Sequence, residues 1–265
     1  LRRLDPPPEF IVFLGDHILG PPADTAGLRR QWEHWSREAL PRPGARQPPM
    51  YHVTGNHDTF DAASERIWRD TFPDIPPNGP PGQTGLSYWA RRGDLLLVVV
   101  NTNCAGLGGY GHVESAWLDA TLAAHSDARH KIVAGHHPAF PVNGYSDRPL
   151  WNLAQEDADA FWAVLVRYGV MAYLCSHIIA FDIQEHDGVA QICSGGAGTN
   201  YGPGGFMGEG EYHHFVQAAL DARGFRLQTV DVKGCTRECW RVSSGRGMKR
   251  SPAQPARTPR RFPPA

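Results

Sequence analysis

Continuous apolar runs alternate with segments of helical periodicity along the first two thirds of the chain. The apolar runs lie at residues 10–14, 95–100, 131–134 and 170–174. Runs of this length that are rich in Val, Ile and Leu are typical of strands buried on both faces of a sheet. Helical periodicity is found over residues 26–39, around residues 117–123 and over residues 155–168, where Gly169 follows as a C-terminal cap. This alternation predicts an α/β fold.

Pairs of short strands separated by turn residues predict antiparallel hairpins. They span residues 86–100, 180–193 and 214–231. Beyond them the chain is rich in Pro, Ser, Gly and basic residues and has no apolar periodicity, which is typical of disorder. We therefore expect a domain over residues 1–232 and a disordered tail over residues 233–265.

Charge is unevenly distributed along the 265 residues. The whole chain has 26 basic and 27 acidic residues, but residues 233–265 hold nine Lys or Arg and the single acid Glu238. The tail thus carries about +8 and the preceding domain about −9. Contact between this basic tail and nucleic acid is one interpretation, although a solvated tail with no partner is favoured. The longest aliphatic run, Leu95–Val100, is too short to form a membrane segment.

Polar side chains that can bind metal follow four of the predicted strands. They are Asp16, Asn56, His136 and His177. Because functional groups of open α/β sheets gather at the carboxyl ends of the strands, we expect these residues to lie close together. A carboxylate, an amide oxygen and two imidazoles form a mixed set of ligands that suits Zn, Fe or Mn. The alternative is that single residues of this set cap turns or are hydrogen-bonded core histidines.

The tetrapeptide Gly55-Asn56-His57-Asp58 lies where a predicted strand meets a helix. An amide, an imidazole and a carboxylate in one such turn can supply a metal ligand, a proton donor and the group that orients the donor. Tyr110, in a glycine-rich loop, is a candidate either for lining a substrate cleft or for packing.

The ordered set Gly15-Asp16, Gly55-Asn56-His57-Asp58, Gly135-His136-His137-Pro138 and Ser176-His177 resembles the motifs of the calcineurin-like metallophosphoesterases. This superfamily includes purple acid phosphatases and many phosphodiesterases. The resemblance implies two packed mixed β-sheets flanked by helices, in an α/β/β/α sandwich. It also implies a two-metal site that hydrolyses a phosphomonoester or phosphodiester by means of metal-activated hydroxide.

The resemblance also assigns a role to each residue of these motifs. Asp16 would bridge two metals, and Asn56, His136 and His177 would complete the ligands of one of them. His57 would face the phosphate-ester substrate and protonate its leaving oxygen. Asp58 would hold the imidazole of His57.

Two departures from the family pattern affect the first metal. No Asp-x-His occurs in the 265 residues, and Ile179 stands where the second His of a Gly-His-x-His motif would be. The resemblance therefore implies that the N-terminal strand is missing and that this chain binds one metal. Activity would then be impaired, or the chain would be a weak or inactive relative that acts as a binding module.

Overall fold

The computed structural model describes residues 4, 7–21, 24–39, 48–142, 150–197, 210–221, 224–243 and 247–251. Within these ranges the helices are α1 (Thr25–Ala39), α2 (Ala62–Thr71), α3 (Ser115–Ala124) and α4 (Gln155–Arg167). The first strands are β1 (Ile11–Phe13), β2 (Met50–His52), β3 (Tyr88–Arg92), β4 (Leu95–Val99), β5 (Asn103–Cys104), β6 (Gly109–Tyr110) and β7 (His130–Ala134). The remaining strands are β8 (Ala172–Cys175), β9 (Phe181–His186), β10 (Val189–Ser194), β11 (His214–Asp221), β12 (Gly224–Asp231), β13 (Thr236–Ser243) and β14 (Gly247–Ser251).

The central sheet has six strands in the order β3-β4-β7-β8-β10-β9. The four inner strands are parallel, and β3 and β9 pair antiparallel at the two edges. Along β4, Leu96 and Val98 belong to the core on one face of the sheet. Leu95, Leu97 and Val99 belong to the core on the other face. Both faces are covered, so β4 appears in the sequence as a continuous apolar run.

Helices cover one face of the central sheet and a second layer of strands covers the other. On the first face α3 and α4 bury Leu118 and Phe161. On the second face lie the parallel pair β1–β2 and the antiparallel sheet β11-β12-β13-β14, with Phe225 and Leu227 buried in the shared core. Helices α1 and α2 pack together through a third cluster that includes Trp32. The predicted architecture of two packed mixed sheets flanked by helices is confirmed.

The three predicted hairpins are present. They are β3–β4, β9–β10 and β11–β12, all paired antiparallel. Gly169 follows α4 with φ of +61°, the left-handed conformation that was expected of a cap. Within the described ranges, none of the helices has the length and apolar character that crossing a membrane requires.

The prediction of a disordered tail from residue 233 onward is wrong for the two segments that form β13 and β14. β13 pairs with β12, β14 pairs with β13, and Cys239 and Val242 are buried. Trp240 and Val242 contribute to the core shared with the central sheet, and Arg241 lies between them, so the apolar pattern is too short to be recognised in the sequence. Residues 252–265 lie outside the described residues. Contact of the basic residues with nucleic acid stays a prediction.

Aromatic rings contributed by α1, α2 and β1 enclose two buried histidines. His17 stacks on Phe13 and His52 stacks on Phe72, with ring centroids 4.2 and 4.0 Å apart. The Nε2 of His17 lies 3.1 Å from Nδ1 of His52. Burial, together with the neighbouring His17, lowers the pKa of His52 to about 3.

We expect Val242→Ala to lower the free energy of unfolding by about 1–3 kcal/mol, because it removes buried methyl groups from the core under β12. The matched control is Val232→Ala, since Val232 is 78% exposed. The control should change stability by less than about 0.5 kcal/mol. Denaturant unfolding measures both values. Equal effects of the two substitutions would mean that β13 does not pack on the domain.

We also expect acid to destabilise the fold through His52. The pKa of His52 is about 3 in the folded protein and 6.5 in an unfolded chain. Between these values the unfolded chain binds more protons, so the free energy of unfolding falls as the pH falls, by up to about 1.4 kcal/mol per pH unit. In His52→Asn the amide group, which can both donate and accept, can still hydrogen-bond to Nε2 of His17, but the titrating ring is gone.

Between pH 6.5 and 4, the free energy of unfolding should therefore change less steeply with pH in His52→Asn than in the unchanged chain. His34→Asn, on the exposed side of α1, is the control and should keep the original slope. If the free energy of unfolding of His52→Asn depended on pH as steeply as that of the unchanged chain, His52 would not be the cause of the acid destabilisation.

Candidate metal centre

Strands from both layers end at one point of the molecule. Asp16 follows β1, His136 follows β7 and His177 follows β8. One potential ligand atom from each of these residues lies within 4.8 Å of the others. In the turn after β2, the Oδ1 of Asn56 lies 3.1 Å from Nε2 of His136. The structure thus brings together the four residues that the sequence predicted as metal ligands.

Backbone carbonyls fix the orientation of both imidazoles. His136 Nδ1 lies 2.8 Å from the carbonyl oxygen of Leu14, and His177 Nε2 lies 3.2 Å from that of Leu150. A carbonyl only accepts hydrogen bonds, so these two nitrogens carry the hydrogens. The other nitrogens, Nε2 of His136 and Nδ1 of His177, then present lone pairs and lie 3.2 Å apart. Such orientation by carbonyls is typical of histidines that bind metals.

Four acceptor atoms therefore converge. Besides the two ring nitrogens, Asp16 places Oδ2 3.2 Å from Nε2 of His136, and the amide oxygen of Asn56 lies 3.1 Å from the same nitrogen. Acceptors held this close repel one another unless a cation or a proton lies among them. The mixture of nitrogen and oxygen ligands fits Zn, Fe or Mn better than Ca.

The charges within this group shift the pKa values of its members. Burial works against the charge on Asp16, but His136 outweighs it and holds the pKa of that carboxyl well below its usual range. Burial likewise works against a charged His136, and Asp16 nevertheless raises the pKa of that imidazole above its ordinary value. Burial and the neighbouring His136 lower the pKa of His177 to about 3. At neutral pH the group thus holds a carboxylate and a neutral His177, as metal binding requires.

The backbone around the centre adopts conformations that most residues avoid. Asp16 and His177 both have left-handed φ values, +54° and +65°. Non-glycine residues in this region cost energy and are concentrated at functional sites. Gly55 allows the turn after β2 to approach the turn after β1, since a Cβ on Gly55 would overlap the backbone nitrogen of Asp16.

His57 lies at the edge of the centre and is half-buried. Its backbone N–H donates to Oδ1 of Asp16 at 3.1 Å, and its Nδ1 lies 2.6 Å from the carbonyl oxygen of Leu19. The Nδ1 therefore carries a hydrogen, and Nε2 is the ring nitrogen that remains for a substrate. His57 lines the groove beside the centre, and its role toward a substrate stays a prediction.

The predicted contact between Asp58 and the imidazole of His57 is wrong. Asp58 is fully buried and accepts hydrogen bonds from the backbone N–H of His17 and of Gly55, each at 2.9 Å. Its Oδ2 also lies 2.9 Å from Nδ1 of His17. Neighbouring side chains in this turn point in different directions, so Asp58 faces the interior while His57 faces outward. Asp58 ties together the turns that carry Asp16 and Asn56.

Two contributions to the centre were missed or left open by the sequence analysis. His17, which bonds to Asp58 through its backbone N–H and its ring, was not assigned a role by the sequence analysis. Only its position next to Asp16 could have suggested one. The hydroxyl of Tyr110 lies 3.3 Å from Nε2 of His177, so this tyrosine lines the centre and does not merely pack. Burial raises the pKa of Tyr110 to about 12, which keeps the hydroxyl protonated.

A groove of about 1960 Å³ opens onto the centre. Asp16, His57, His177 and Ile179 all line it. Ile179 thus shares a surface with His177 but offers no ligand atom. Asp16, His136 and His177 form a cluster of ligand atoms close enough together to bind one metal ion. Within the described residues, it is the one such cluster of three or more His, Cys, Asp or Glu.

Solved structures with the same fold include purple acid phosphatase PPD1 from seeds of yellow lupin, Lupinus luteus. Its TM-score is 0.58 at 14% identity, over 87% of this chain and 45% of that chain. Another is GAP50, described as the anchor in the inner membrane complex of Plasmodium, with a TM-score of 0.53 at 15% identity over 94% of this chain and 79% of that chain. At such identities the likeness shows a shared fold.

Curated relatives include two phosphatases. The serine/threonine-protein phosphatase CPPED1 of Danio rerio is 25% identical over 215 residues, which cover 76% of this chain and 64% of that protein. Tartrate-resistant acid phosphatase type 5 of Rattus norvegicus is 24% identical over 212 residues, covering 71% of this chain and 60% of that protein. The chain spans about three fifths of the length of these curated relatives.

The family model described as calcineurin-like phosphoesterase matches residues 1–181. This segment contains α1 to α4, most of the central sheet and all four residues of the centre. With more than half of its length matched, the chain belongs to the calcineurin-like phosphoesterase family.

Proposed function

We propose that this chain hydrolyses a phosphomonoester or phosphodiester with one transition-metal ion, Mn, Fe or Zn, held by Asp16, Asn56, His136 and His177. The observation that carries the proposal is the convergence of four acceptor atoms, two of which are ring nitrogens of imidazoles that backbone carbonyls orient. Membership of a phosphoesterase family supports the class of substrate. The phosphatase relatives support it as well.

A metal ion held by these residues would supply positive charge that polarises a phosphoryl oxygen and acidifies water. The remaining work belongs to the side chains. In hydrolysis a water oxygen bonds to phosphorus and the ester P–O bond breaks, so the leaving oxygen needs a proton. His57 can donate it from Nε2 when both ring nitrogens carry a hydrogen, since the hydrogen on Nδ1 is bonded to the Leu19 carbonyl, which fixes the ring. The attacking water releases a proton that can restore this form of His57.

The residues that line the groove support a site for one metal ion. A two-metal site clamps both the attacking and the leaving oxygen. Here Ile179 stands beside His177 without a ligand atom, and the sequence has no Asp-x-His. We infer that one ion is bound and that turnover is lower by about a hundredfold or more than with a two-metal site.

The same observations favour a second candidate function. A chain that has one metal ion and an apolar Ile179 in the groove could bind a phosphate ester without hydrolysing it. This binding module would keep the metal and the affinity for phosphate but show no turnover. Metal content and hydrolysis, measured on the same sample, distinguish the two functions.

We expect the purified chain to bind close to one Mn, Fe or Zn ion, measured by elemental analysis after dialysis. His136→Ala should lose the ion, because Nε2 of His136 is within 3.2 Å of three other acceptors. His34→Ala, on the exposed side of α1, should retain it. Two tightly bound ions in the unchanged chain would show that the structure contains ligands outside the four residues.

For His57→Ala we expect a loss of kcat of about a hundredfold or more on an alkyl phosphate, since a departing alkoxide depends on a proton donor. On 4-nitrophenyl phosphate the loss should be much smaller, because nitrophenolate leaves readily without a proton. Metal content should not change. An equal loss on both substrates would contradict proton donation by His57, whereas full metal content with no turnover in the unchanged chain would favour the binding module.

A further inference from the structure

Two leucines that contact the centre through their backbone carbonyls expose their side chains. The carbonyl oxygen of Leu19 lies 2.6 Å from Nδ1 of His57, and that of Leu150 lies 3.2 Å from Nε2 of His177. Leu19 is 85% exposed and Leu150 is 62% exposed. Both residues line the groove that opens onto the centre. The centre is thus flanked by one exposed leucine on the His57 side and by another on the His177 side.

Hydrogen bonds and backbone conformation fix the positions of both leucines. The N–H of Leu19 donates to Oε1 of Gln31 at 3.0 Å, and Nε2 of Gln31 donates to the carbonyl oxygen of Gly20 at 3.0 Å. Leu150 has a left-handed φ of +78°, which a bulky residue adopts only at a cost in energy. Strain of this kind is concentrated at functional sites. The loops that orient the two imidazoles therefore also set where these exposed side chains lie.

Two aromatic side chains continue the apolar surface beside His177. The ring centroid of Trp151 lies 5.9 Å from that of His177, and the ring centroid of Tyr110 lies 5.6 Å from it. Both aromatic residues are half-buried and line the groove. A single exposed leucine is common on protein surfaces, but several apolar side chains around one polar centre indicate a binding surface. We define the apolar rim as Leu19, Tyr110, Leu150 and Trp151.

The apolar rim offers no positive charge to a substrate. In the described part of the chain, the hydrogen-bond and ring partners of His57 and His177 include no Lys or Arg. A substrate with a second phosphate group would need a cation to bind that group. The side chains around the centre therefore suit a ligand that has one phosphate and an apolar remainder.

We propose that the substrate is a phosphate ester of an apolar alkyl alcohol, whose alkyl chain packs on the apolar rim while its phosphate lies at the centre. This inference rests on the proposed function and adds to it the class of the alcohol. In the proposed function the leaving oxygen lies beside Nε2 of His57, and Leu19 contacts the same ring at Nδ1. The carbon chain attached to that oxygen therefore begins close to the rim. Packing of the chain on the rim removes apolar surface from water, which strengthens binding.

The test compares octylphosphonate with methylphosphonate, two ligands that have the same charged group and a C–P bond that is not an ester. Calorimetry of the chain loaded with Mn should give an affinity about tenfold or more higher for octylphosphonate, because its chain buries apolar surface. Leu19→Asn and Leu150→Asn keep the backbone carbonyls, and Asn tolerates the left-handed φ of Leu150. Each substitution should reduce the octyl preference by about threefold or more. Val232→Asn changes a similarly exposed residue that does not line the groove, and it should keep the full preference.

Equal affinities for the two phosphonates would overturn the inference, and so would an octyl preference that both leucine substitutions leave intact. Absence of binding of either phosphonate would overturn it as well. Failure of the proposed function would look different, because that function requires turnover and phosphonate binding does not. An octyl preference in a chain that hydrolyses no phosphate ester would support the rim as the site of the alkyl chain and favour the binding module. Hydrolysis with equal affinities would support the proposed function without the rim.

Discussion

The hydrogen bonds of Asp58 hold the two turns on which the metal centre depends. Its carboxylate accepts from the N–H of His17, next to Asp16, and from the N–H of Gly55, next to Asn56. The side chain is fully buried, so water cannot replace either contact. Two of the proposed ligands, which follow different strands, are therefore fixed relative to each other without an ion or substrate, which is the arrangement expected of a preorganised site.

The members of the centre could be predicted from the sequence because strand ends are easy to recognise. Apolar runs end sharply before Asp16, His136 and His177, and parallel strands bring their carboxyl ends to one edge. The partner of Asp58 could not be predicted, since adjacent residues in a turn diverge and the sequence does not record where each side chain points. β13 was missed for a different reason. Its core-facing residues Trp240 and Val242 are separated by Arg241, and an apolar pattern of two residues is too short to predict a strand.

One groove contains both the polar residues of the centre and an apolar surface. Asp16, Asn56 and His177 line it, and Ile179, two residues past His177, lines it without offering a ligand atom. Leu95, Leu97 and Ile132 of the central sheet line the same groove. A ligand in the groove would therefore meet polar groups at one part of it and apolar side chains at another.

Because β1 and β2 pair only with each other within the described residues, this pair is joined to the central sheet by side chains and not by a strand ladder. Asp16 and Asn56 belong to the pair, while His136 and His177 belong to the central sheet. The centre therefore lies between two sheets that share a core but no strand ladder. An ion held by residues of both sheets would link the two layers of the fold directly, so its removal would take away a connection between the layers as well as a positive charge.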